Sequence, residues 1–421
     1  MDAARNITIS CHCGAARQTL LPKEHNDLFS QVSFCHCDTC RHSTGLLCTS
    51  YAPVASHPPP SLTGLQSHST SSTSTRYFCS TCGCHVFRAK HASTLSFPAE
   101  WDWEVATGVI TDAPESRLPE QWHHHHVQDT QDGGLSPFLL ASSPPRPSQS
   151  PPSVDDDILQ ASCHCTSISL QITPPSPDPK DNPDSPYPDL LLPYHSTPPH
   201  TVSNPSNEKW YLRLVPSSSS STSKQEEVYL PDDTAQQQQN PTRSPKTETK
   251  TRYLSGTCAC QPCRLTSGFE IQTWAFIPRR NISISIPHSS SSSSNPDQPA
   301  WAKYQPLDFT NLPANLPLST YESSPGRKRE FCAVCGATIF WHDDFRPDLI
   351  DVSVGLFRPS ANSGGGARAE NWLEWWTERV SFSEDASKGR TGEAKTWGEG
   401  VIRLLEEGLR TRRVGQPAKE H

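Results

Sequence analysis

Cysteine spacing constrains this chain more than any other feature of its sequence. Three clusters occur in the first half, and the same three spacings follow in the same order in the second half. The first-half clusters are Cys11 and Cys13, then Cys35, Cys37 and Cys40, then Cys79 and Cys82. The second-half clusters are Cys163 and Cys165, then Cys258, Cys260 and Cys263, then Cys332 and Cys335. The pattern indicates an internal duplication that accounts for 14 of the 16 cysteines.

Landmarks outside the cysteines repeat as well. Gly45 and Gly268 each lie five residues after the third cysteine of the middle cluster. The segment Val105–Val109 likewise parallels Val352–Leu356. The duplication therefore extends to the residues between the clusters.

Composition divides the 421 residues into compact modules and loose connections. With 41 prolines and only 33% hydrophobic residues, part of the chain cannot bury enough surface to become ordered. The predicted units are a first domain at 1–140, a Ser/Pro linker at 141–157, a second domain at 158–385 and a C-terminal tail at 386–421. Disordered low-complexity insertions are expected in the second domain near 173–251 and 284–300, except that 210–215 has the composition of a strand.

Short β-branched and aromatic runs bounded by Gly, Pro and Ser predict a mainly β fold of short antiparallel strands. The predicted strands are Gln31–Phe34, Leu46–Tyr51, His85–Phe87, Phe269–Ile277 and Thr338–Phe340. Apolar residues at helical spacing predict a C-terminal helix within Glu399–Arg412. Periodicity does not decide whether Asn371–Trp376 starts a helix or forms an aromatic strand.

Cysteines in close pairs are typical zinc ligands when they are reduced, because the soft thiolate suits this borderline ion. A C-x-C pair together with a distant C-x-x-C pair completes a tetrahedron with no open position. We therefore expect one structural zinc in each half. The expected ligand sets are Cys11, Cys13, Cys79 and Cys82 in the first half, and Cys163, Cys165, Cys332 and Cys335 in the second.

The middle clusters differ because each supplies three thiolates and leaves a fourth position for water or a substrate thiol. These are the expected catalytic cysteines: Cys35, Cys37 and Cys40 in the first half, and Cys258, Cys260 and Cys263 in the second. Zinc would make a bound thiol more acidic, and its sulfur could then attack a small aldehyde. Arg41 and Arg264 are expected to offset the negative charge or contact an anionic substrate, with a solvated or strand-edge position as the alternative.

The start of the chain and its charge suggest a cellular setting. No apolar secretory segment precedes Cys11, so reduced thiols and an intracellular, cytoplasmic location are expected. The sequence contains no run of about 18 apolar residues, so no membrane span is predicted. The net charge of −8 argues against nucleic acid as a partner. The oligomeric state is left open.

In its three cysteine clusters the sequence resembles the glutathione-dependent formaldehyde-activating enzymes, whose domain also occurs in vertebrate centromere protein V. The resemblance rests on the early C-x-C, the middle Cys35-His36-Cys37-Asp38-Thr39-Cys40-Arg41 and the late Phe78-Cys79-Ser80-Thr81-Cys82-Gly83, each with a second-half counterpart. The segment Asp129–Gly134 is also similar to the D-T-x-D-G-G tail of fungal members. The chain thus resembles a fungal-type tandem member.

The resemblance implies a zinc-bearing β-tent fold in each half, with about two zinc ions per module. It also implies carbon–sulfur lyase chemistry of the S-(hydroxymethyl)glutathione synthase type, in which glutathione adds to formaldehyde. The second half departs from the family at Ala259, often a histidine, and at Thr166, which replaces the counterpart of Gly14. The first module is therefore the stronger enzyme candidate.

Two other functions and several single residues were weighed against this hypothesis. A non-catalytic zinc scaffold that recruits partners is the main alternative, and a chromatin binder is disfavoured by the acidic charge. In the run His123–His126 at most two rings can converge, because strand side chains alternate between faces. His36 is expected to orient its loop, and Cys48 and Cys84 are expected to be structural.

Overall fold

The computed structural model describes residues 6–23, 28–91, 101–114, 119, 121–139, 157–216, 249–286, 303–358 and 365–414. Almost all of the predicted linker and of the insertion near 284–300 lies outside these residues. The same holds for residues 217–248 of the insertion near 173–251. Within the described part, no helix combines the length and hydrophobicity that a membrane crossing requires.

Ten strands and one α-helix are described in the first half. They are β1 (Ile7–Ile9), β2 (Gln18–Leu20), β3 (Ser33–Cys35), α1 (Asp38–Thr44), β4 (Thr49–Val54), β5 (Leu65–Ser71), β6 (Ser74–Cys79), β7 (His85–His91), β8 (Trp101–Ala106), β9 (Ile110–Ala113) and β10 (His123–His125). One sheet has the order β2-β1-β9, and the larger sheet has the order β10-β3-β4-β8-β7-β6-β5. β10 runs parallel to β3.

Thirteen strands and three α-helices are described in the second half. They are β11 (Leu159–Ser162), β12 (Ser169–Ile172), α2 (Pro199–Val202), β13 (Leu212–Pro216), β14 (Thr249–Cys258), α3 (Gln261–Ser267), β15 (Gln272–Pro278), β16 (Ile282–Ile286), β17 (Lys303–Pro306), β18 (Leu318–Ser324), β19 (Arg327–Cys332), β20 (Thr338–Asp343), β21 (Leu349–Ser353), β22 (Phe357–Arg358), β23 (Leu373–Trp375) and α4 (Gly392–Val414). The sheets have the orders β17-β16-β12-β11-β22 and β13-β14-β15-β21-β20-β19-β18, and β23 runs parallel to β14. The mainly β, largely antiparallel fold is confirmed.

One set of strand pairings occurs in both halves with the same register. The path β4-β8-β7-β6-β5 of the first half corresponds to β15-β21-β20-β19-β18 of the second. Tyr51 pairs with Ala106 in the first path, and Trp274 pairs with Ser353 at the same point of the second. Residues of the two halves can therefore be compared position by position.

The two halves pack against each other through reciprocal backbone contacts. Gly45 and Gly268, which follow α1 and α3, have φ values of 80° and 88°. The Gly108 N–H donates to the Gly268 carbonyl across 3.0 Å, and the Gly355 N–H donates to the Gly45 carbonyl across 3.1 Å. A Cβ on Gly45 would lie 2.2 Å from the carbonyl oxygen of Thr338, so only glycine fits there. Each helix end therefore lies against a turn of the opposite half.

The histidines inside the early clusters also reach across this contact. His12 Nδ1 lies 2.7 Å from the Tyr321 hydroxyl of the second half. His164 Nδ1 lies 3.0 Å from His68 Nε2 of the first half. The early cysteine loop of each half thus contacts the β5 or β18 strand of the other.

The predicted strands all occur, each shifted or extended by a few residues. The undecided segment Asn371–Trp376 contains strand β23, whose partner is β14. The C-terminal helix α4 starts earlier than predicted and packs on the first half, against β9 and the 3₁₀ turn Ser136–Leu139. Trp397 of α4 stacks on Phe29, with ring centroids 4.6 Å apart.

The beginning of the predicted 173–251 insertion differs from the expected disorder. Leu190, Trp210 and Tyr211 are buried in a cluster with Leu254 and Phe276 of the second-half sheet. The strand composition of 210–215 agrees with strand β13, whereas the flanks have no periodicity that predicts the packing. Because Leu190, Trp210 and Tyr211 are buried against the sheet, this part of the insertion packs on the second module.

Candidate metal centres

The early and late cysteine pairs of each half come together although many residues separate them. Cys13 Sγ lies 3.5 Å from Cys11 Sγ and 3.4 Å from Cys79 Sγ. The corresponding sulfurs of the second half lie 3.5 Å apart. All four sulfurs of each set lie within 4.8 Å of one another. The sets are Cys11, Cys13, Cys79 and Cys82, and Cys163, Cys165, Cys332 and Cys335.

These distances fit a tetrahedral thiolate site. Disulfide sulfurs would be about 2.05 Å apart, and all cysteines of the described residues are free. Zinc–sulfur bonds of about 2.3 Å give a tetrahedron with edges of about 3.8 Å. Backbone N–H groups add support, since those of Ala16 and Ile168 donate to Cys11 and Cys163 across 3.4 Å. Each set could therefore hold a zinc ion with no open position.

The middle cysteines gather at the junction of a strand and a short helix. Cys35 ends β3, and Cys37 caps the N-terminus of α1 by accepting the Cys40 N–H across 3.4 Å. Cys40 Sγ lies 3.4 Å from Cys35 Sγ. Both trios, Cys35, Cys37 and Cys40 and Cys258, Cys260 and Cys263, have their sulfurs within 4.8 Å of one another. Each trio could hold an ion through three protein ligands.

A buried arginine lies against each trio. Arg76 Nη2 donates to Cys40 Sγ across 2.9 Å, and its Nη1 donates to the Tyr51 hydroxyl across 2.6 Å. Arg329 Nη1 donates to Cys263 Sγ across 3.4 Å. Hydrogen bonds with the Cys35 and Cys37 thiols, followed by the charge of Arg76, hold the pKa of Cys40 well below its ordinary value. The trio of each half thus has a built-in counter-charge.

Sequence reasoning assigned this counter-charge to Arg41 and Arg264, and the structure corrects that assignment. Arg41 pairs with Asp38 at 2.6 Å. Arg264 donates to the Gly108 and Lys388 carbonyls across 2.6 Å and 2.8 Å. Both side chains turn to partners outside the trio, because successive residues of a helix point in different directions and the preceding cysteine is the one that faces the trio. The repeated Arg-x-Phe-Cys at the late cluster was the available signal for Arg76 and Arg329.

The first trio lies in a cavity of about 480 Å³ with a polar, cationic wall. Arg88 and Lys90 of β7 both pair with Glu104 of β8. Two cations therefore share one carboxylate beside the thiols. Among the lining residues are Cys35, Cys37, Cys40, Tyr51, Arg76, Arg88, Lys90, Glu104, His125 and His126.

The histidine run divides between two environments. Strand alternation separates His124 from His125, and the left-handed backbone of His126 after the end of β10 places it beside His125. His124 points inward, where its Nδ1 lies 2.9 Å from His36 Nε2. His125 and His126 instead line the first cavity. Burial, followed by the neighbouring His124, lowers the pKa of His36 to about 3, so this ring is neutral near pH 7. His36 also donates its backbone N–H to the His125 carbonyl across 3.0 Å, which fixes the loop between them.

The second trio lies in a larger cavity of about 650 Å³ with many aromatic residues in its wall.

Two further cysteines, Cys48 and Cys84, are fully buried, and burial raises the pKa of both thiols. They lie outside the sulfur clusters found among the described residues.

One further group of possible ligands consists of Asp189, His195 and Glu384. The Asp189 carboxylate already accepts hydrogen bonds from Arg379, Ser381 and the Phe382 backbone. Asp189 is therefore occupied as a structural acceptor, and this group is not a candidate metal centre.

Residues 6–123 match a family model described as glutathione-dependent formaldehyde-activating enzyme. Neither the curated proteins nor the solved structures gave a match. The matched region contains all three first-half cysteine clusters, together with Arg76 and the cavity residues Arg88 and Glu104. The resemblance seen in the cysteine motifs is confirmed for residues 6–123, the region that matches this family model.

Proposed function

We propose that the first half adds a thiol of the glutathione class to a small aldehyde such as formaldehyde. The observation that carries this proposal is the position of Cys35, Cys37 and Cys40 in a cavity that a small substrate can enter. Three protein sulfurs leave a fourth coordination position. The activity would be that of a zinc-dependent carbon–sulfur lyase acting in the direction of addition.

The addition needs no oxidant or reductant. The thiol sulfur forms a bond to the carbonyl carbon, and the π electron pair of the C=O bond moves to oxygen. The proton lost by the thiol ends on that oxygen, which gives a hemithioacetal, the S-hydroxymethyl adduct in the case of formaldehyde. A zinc ion held by the trio would supply acidification of the substrate thiol.

The residues of this chain would bind the substrate and handle the proton. Arg76 offsets the negative charge of the cysteines, since it is buried and donates to Cys40. Arg88 and Lys90 favour a ligand that carries carboxylates, as glutathione does. His125 and His126 lie in the cavity wall and are the candidates to accept and return the proton.

The test compares two matched serine variants of the full chain, Cys37→Ser and Cys260→Ser, which occupy equivalent positions in the two trios. Product formation from ¹³C-formaldehyde and glutathione is followed by NMR above the spontaneous rate. We expect Cys37→Ser to lower the catalysed rate at least 100-fold and Cys260→Ser to retain it. Zinc bound to the wild-type protein without any thiol-dependent rate would instead support the non-catalytic scaffold.

A further inference from the structure

We propose that the trio of the second half is a distinct binding site whose ligand is a thiol with an apolar, aromatic-sized substituent. The inference rests on the proposed function in one respect, because it takes the trios to be sulfur-binding centres. It goes beyond that function by assigning a separate ligand class to the second half.

The sulfur-binding end of the second cavity keeps the features of the first. Cys258, Cys260 and Cys263 are gathered in the same way, and Arg329 donates to Cys263 as Arg76 does to Cys40. A ligand sulfur would therefore meet three cysteine sulfurs and one arginine in both halves. Any difference in ligand preference between the two cavities must come from the residues that form their walls.

Strand register shows that the cationic wall has become aromatic. Arg88 pairs with Glu104 between β7 and β8. At the same point between β20 and β21, Trp341 pairs with Asp351. An indole thus replaces the guanidinium that faces the first cavity. The position of Lys90 is taken by Asp343, which removes the second cation.

Two more wall positions change in the same direction. Pro53 pairs with Glu104, and its counterpart Phe276 pairs with Asp351. His126 and Phe382 both have left-handed backbone, with φ of 56° and 54°, directly before a 3₁₀ turn. Phe382 therefore stands where the first cavity has a histidine.

These aromatic side chains lie at the sulfur cluster itself. Trp274, the counterpart of Tyr51, packs in one apolar cluster with Cys258 and Cys263. Trp341 and Phe382 pack against the same cluster. A substituent next to a bound sulfur would contact rings rather than charges.

Asp351, one of the acids that line this wall, is paired within the protein. Arg346 Nη2 lies 2.8 Å from the Asp351 carboxylate, and both side chains are buried. The guanidinium also lies over the Trp341 ring, 4.7 Å from its centroid. Asp351 is therefore already neutralised by Arg346, and the pair holds the indole in place.

The insertion of the second module enlarges this cavity and adds an apolar rim. Leu190, Tyr194 and Val202 of the insertion line it. Tyr194 and Phe345 are 45% and 83% exposed, although large apolar side chains are mostly buried elsewhere in the described residues. Arg327 and Lys388 also line the cavity, and Lys388 pairs with Asp385 at 3.3 Å. The aromatic wall and rim favour an apolar substituent over the charged arms of glutathione.

The experiment uses the full zinc-loaded chain with one trio disabled at a time. Cys37→Ser isolates the second cavity, and Cys260→Ser isolates the first. Binding of benzyl mercaptan and of glutathione to each variant is measured by isothermal titration calorimetry. We expect Cys37→Ser to bind benzyl mercaptan at least tenfold more tightly than glutathione, and Cys260→Ser to show the opposite preference.

Two wall variants in the Cys37→Ser background test the source of the preference. Trp341→Arg installs the first-half residue and is expected to weaken benzyl mercaptan binding at least tenfold. Phe345→Ser changes a residue whose exposure spares the fold, and it is expected to weaken binding about threefold. Circular dichroism checks that both variants fold.

The outcomes separate the two proposals. If Cys37→Ser binds glutathione as tightly as benzyl mercaptan, or binds neither while Cys260→Ser binds glutathione, the inference about the second cavity is overturned and the proposed function stands. Unchanged benzyl mercaptan binding in both wall variants also overturns it. If Cys260→Ser fails to bind glutathione, the proposed function of the first half is the one that fails.

Discussion

Arg390 Nη2 donates a hydrogen bond to Glu270 Oε1 across 2.8 Å, and both side chains are buried. Glu270 of the second half also accepts from Thr107 of the first half and from Trp397 Nε1 of helix α4. One carboxylate therefore joins three parts of the chain. Removal of one member of such a buried pair leaves an uncompensated charge.

Glu270→Gln is expected to lower the free energy of unfolding by about 3–5 kcal/mol, because Arg390 keeps its charge without a buried partner. The double variant Glu270→Leu with Arg390→Met is expected to lose less than Glu270→Gln alone. Urea denaturation followed by circular dichroism measures both. A double variant as unstable as the single one would mean that the lost hydrogen bonds, and not the unpaired charge, dominate.

Gly45→Ala is expected to disturb the contact between the halves, because a Cβ would lie 2.2 Å from the Thr338 carbonyl oxygen. Gly14→Ala is the matched control, since Gly14 also has positive φ but a Cβ there meets no atom within 4 Å. The control should lose about 1–2 kcal/mol from backbone strain alone. Gly45→Ala should lose about 2 kcal/mol more, and equal unfolding midpoints would contradict the role given to this contact.

Arg76→Met is expected to lower the thiol-dependent rate of the first half by about 10–100-fold, because the buried cysteines lose their counter-charge. Arg329→Met is the matched variant in the second half and should leave the glutathione rate unchanged. Steady-state kinetics with glutathione and formaldehyde distinguish them. Equal losses in both variants would show that the effect is on the fold as a whole.

His85 is expected to make stability fall in acid. Burial lowers its pKa to about 3, so the unfolded chain, with an ordinary value of 6.5, binds the proton more readily. Stability then decreases as pH falls from about 6.5 towards 3, by roughly 1 kcal/mol per pH unit. His85→Thr installs the residue that the second half has at Thr338. The difference in free energy of unfolding between wild type and His85→Thr should become smaller by about 1 kcal/mol when the pH is lowered from 7 to 5.5. A difference that stays the same at both pH values would contradict the prediction.

Cys79→Ser is expected to prevent stable folding, because a sealed zinc site contributes on the order of 10 kcal/mol in small metal-dependent domains. Cys48→Ser is the control, since Cys48 is equally buried but lies outside the sulfur clusters of the described residues. Zinc content and thermal unfolding of the two variants provide the measurement. A Cys79→Ser protein that keeps its zinc and its melting temperature would rule out this set as a structural site.

The sulfur clusters could be anticipated because much of their geometry is local. Cys37 and Cys40 meet within one helical turn, and the turn at Cys79 brings its neighbour Cys82 close. Arg76 could not be placed beside Cys40 in this way, since their contact depends on the order of β6 within the sheet. The strand composition of 210–215 indicated order at this point, and a strand occurs at Leu212–Pro216. The flanks lack an apolar period, so the packing of Trp210 in a core with Phe276 could not be predicted.

The walls of the two cavities show the same distinction between local and long-range information. Arg88 and Trp341 each lie six residues after the last cysteine of the late cluster, so their equivalence is visible in the sequence. That both face the middle cysteines depends on strand order and could not be seen there. The hydrogen bonds that Gly108 and Gly355 donate to the helix ends of the opposite half also cannot be predicted from the local sequence. Sequence alone therefore indicated two similar modules but not how they fit together.

The contacts of Gly45 with Gly355 and of Gly268 with Gly108 have a consequence for how this chain can change by mutation. Each half covers backbone of the other, so deletion of either half would expose that surface in the half that remains. If the chemistry of one cavity is under selection, the neighbouring half must also be kept for its contacts, while the residues that line its own cavity are less constrained.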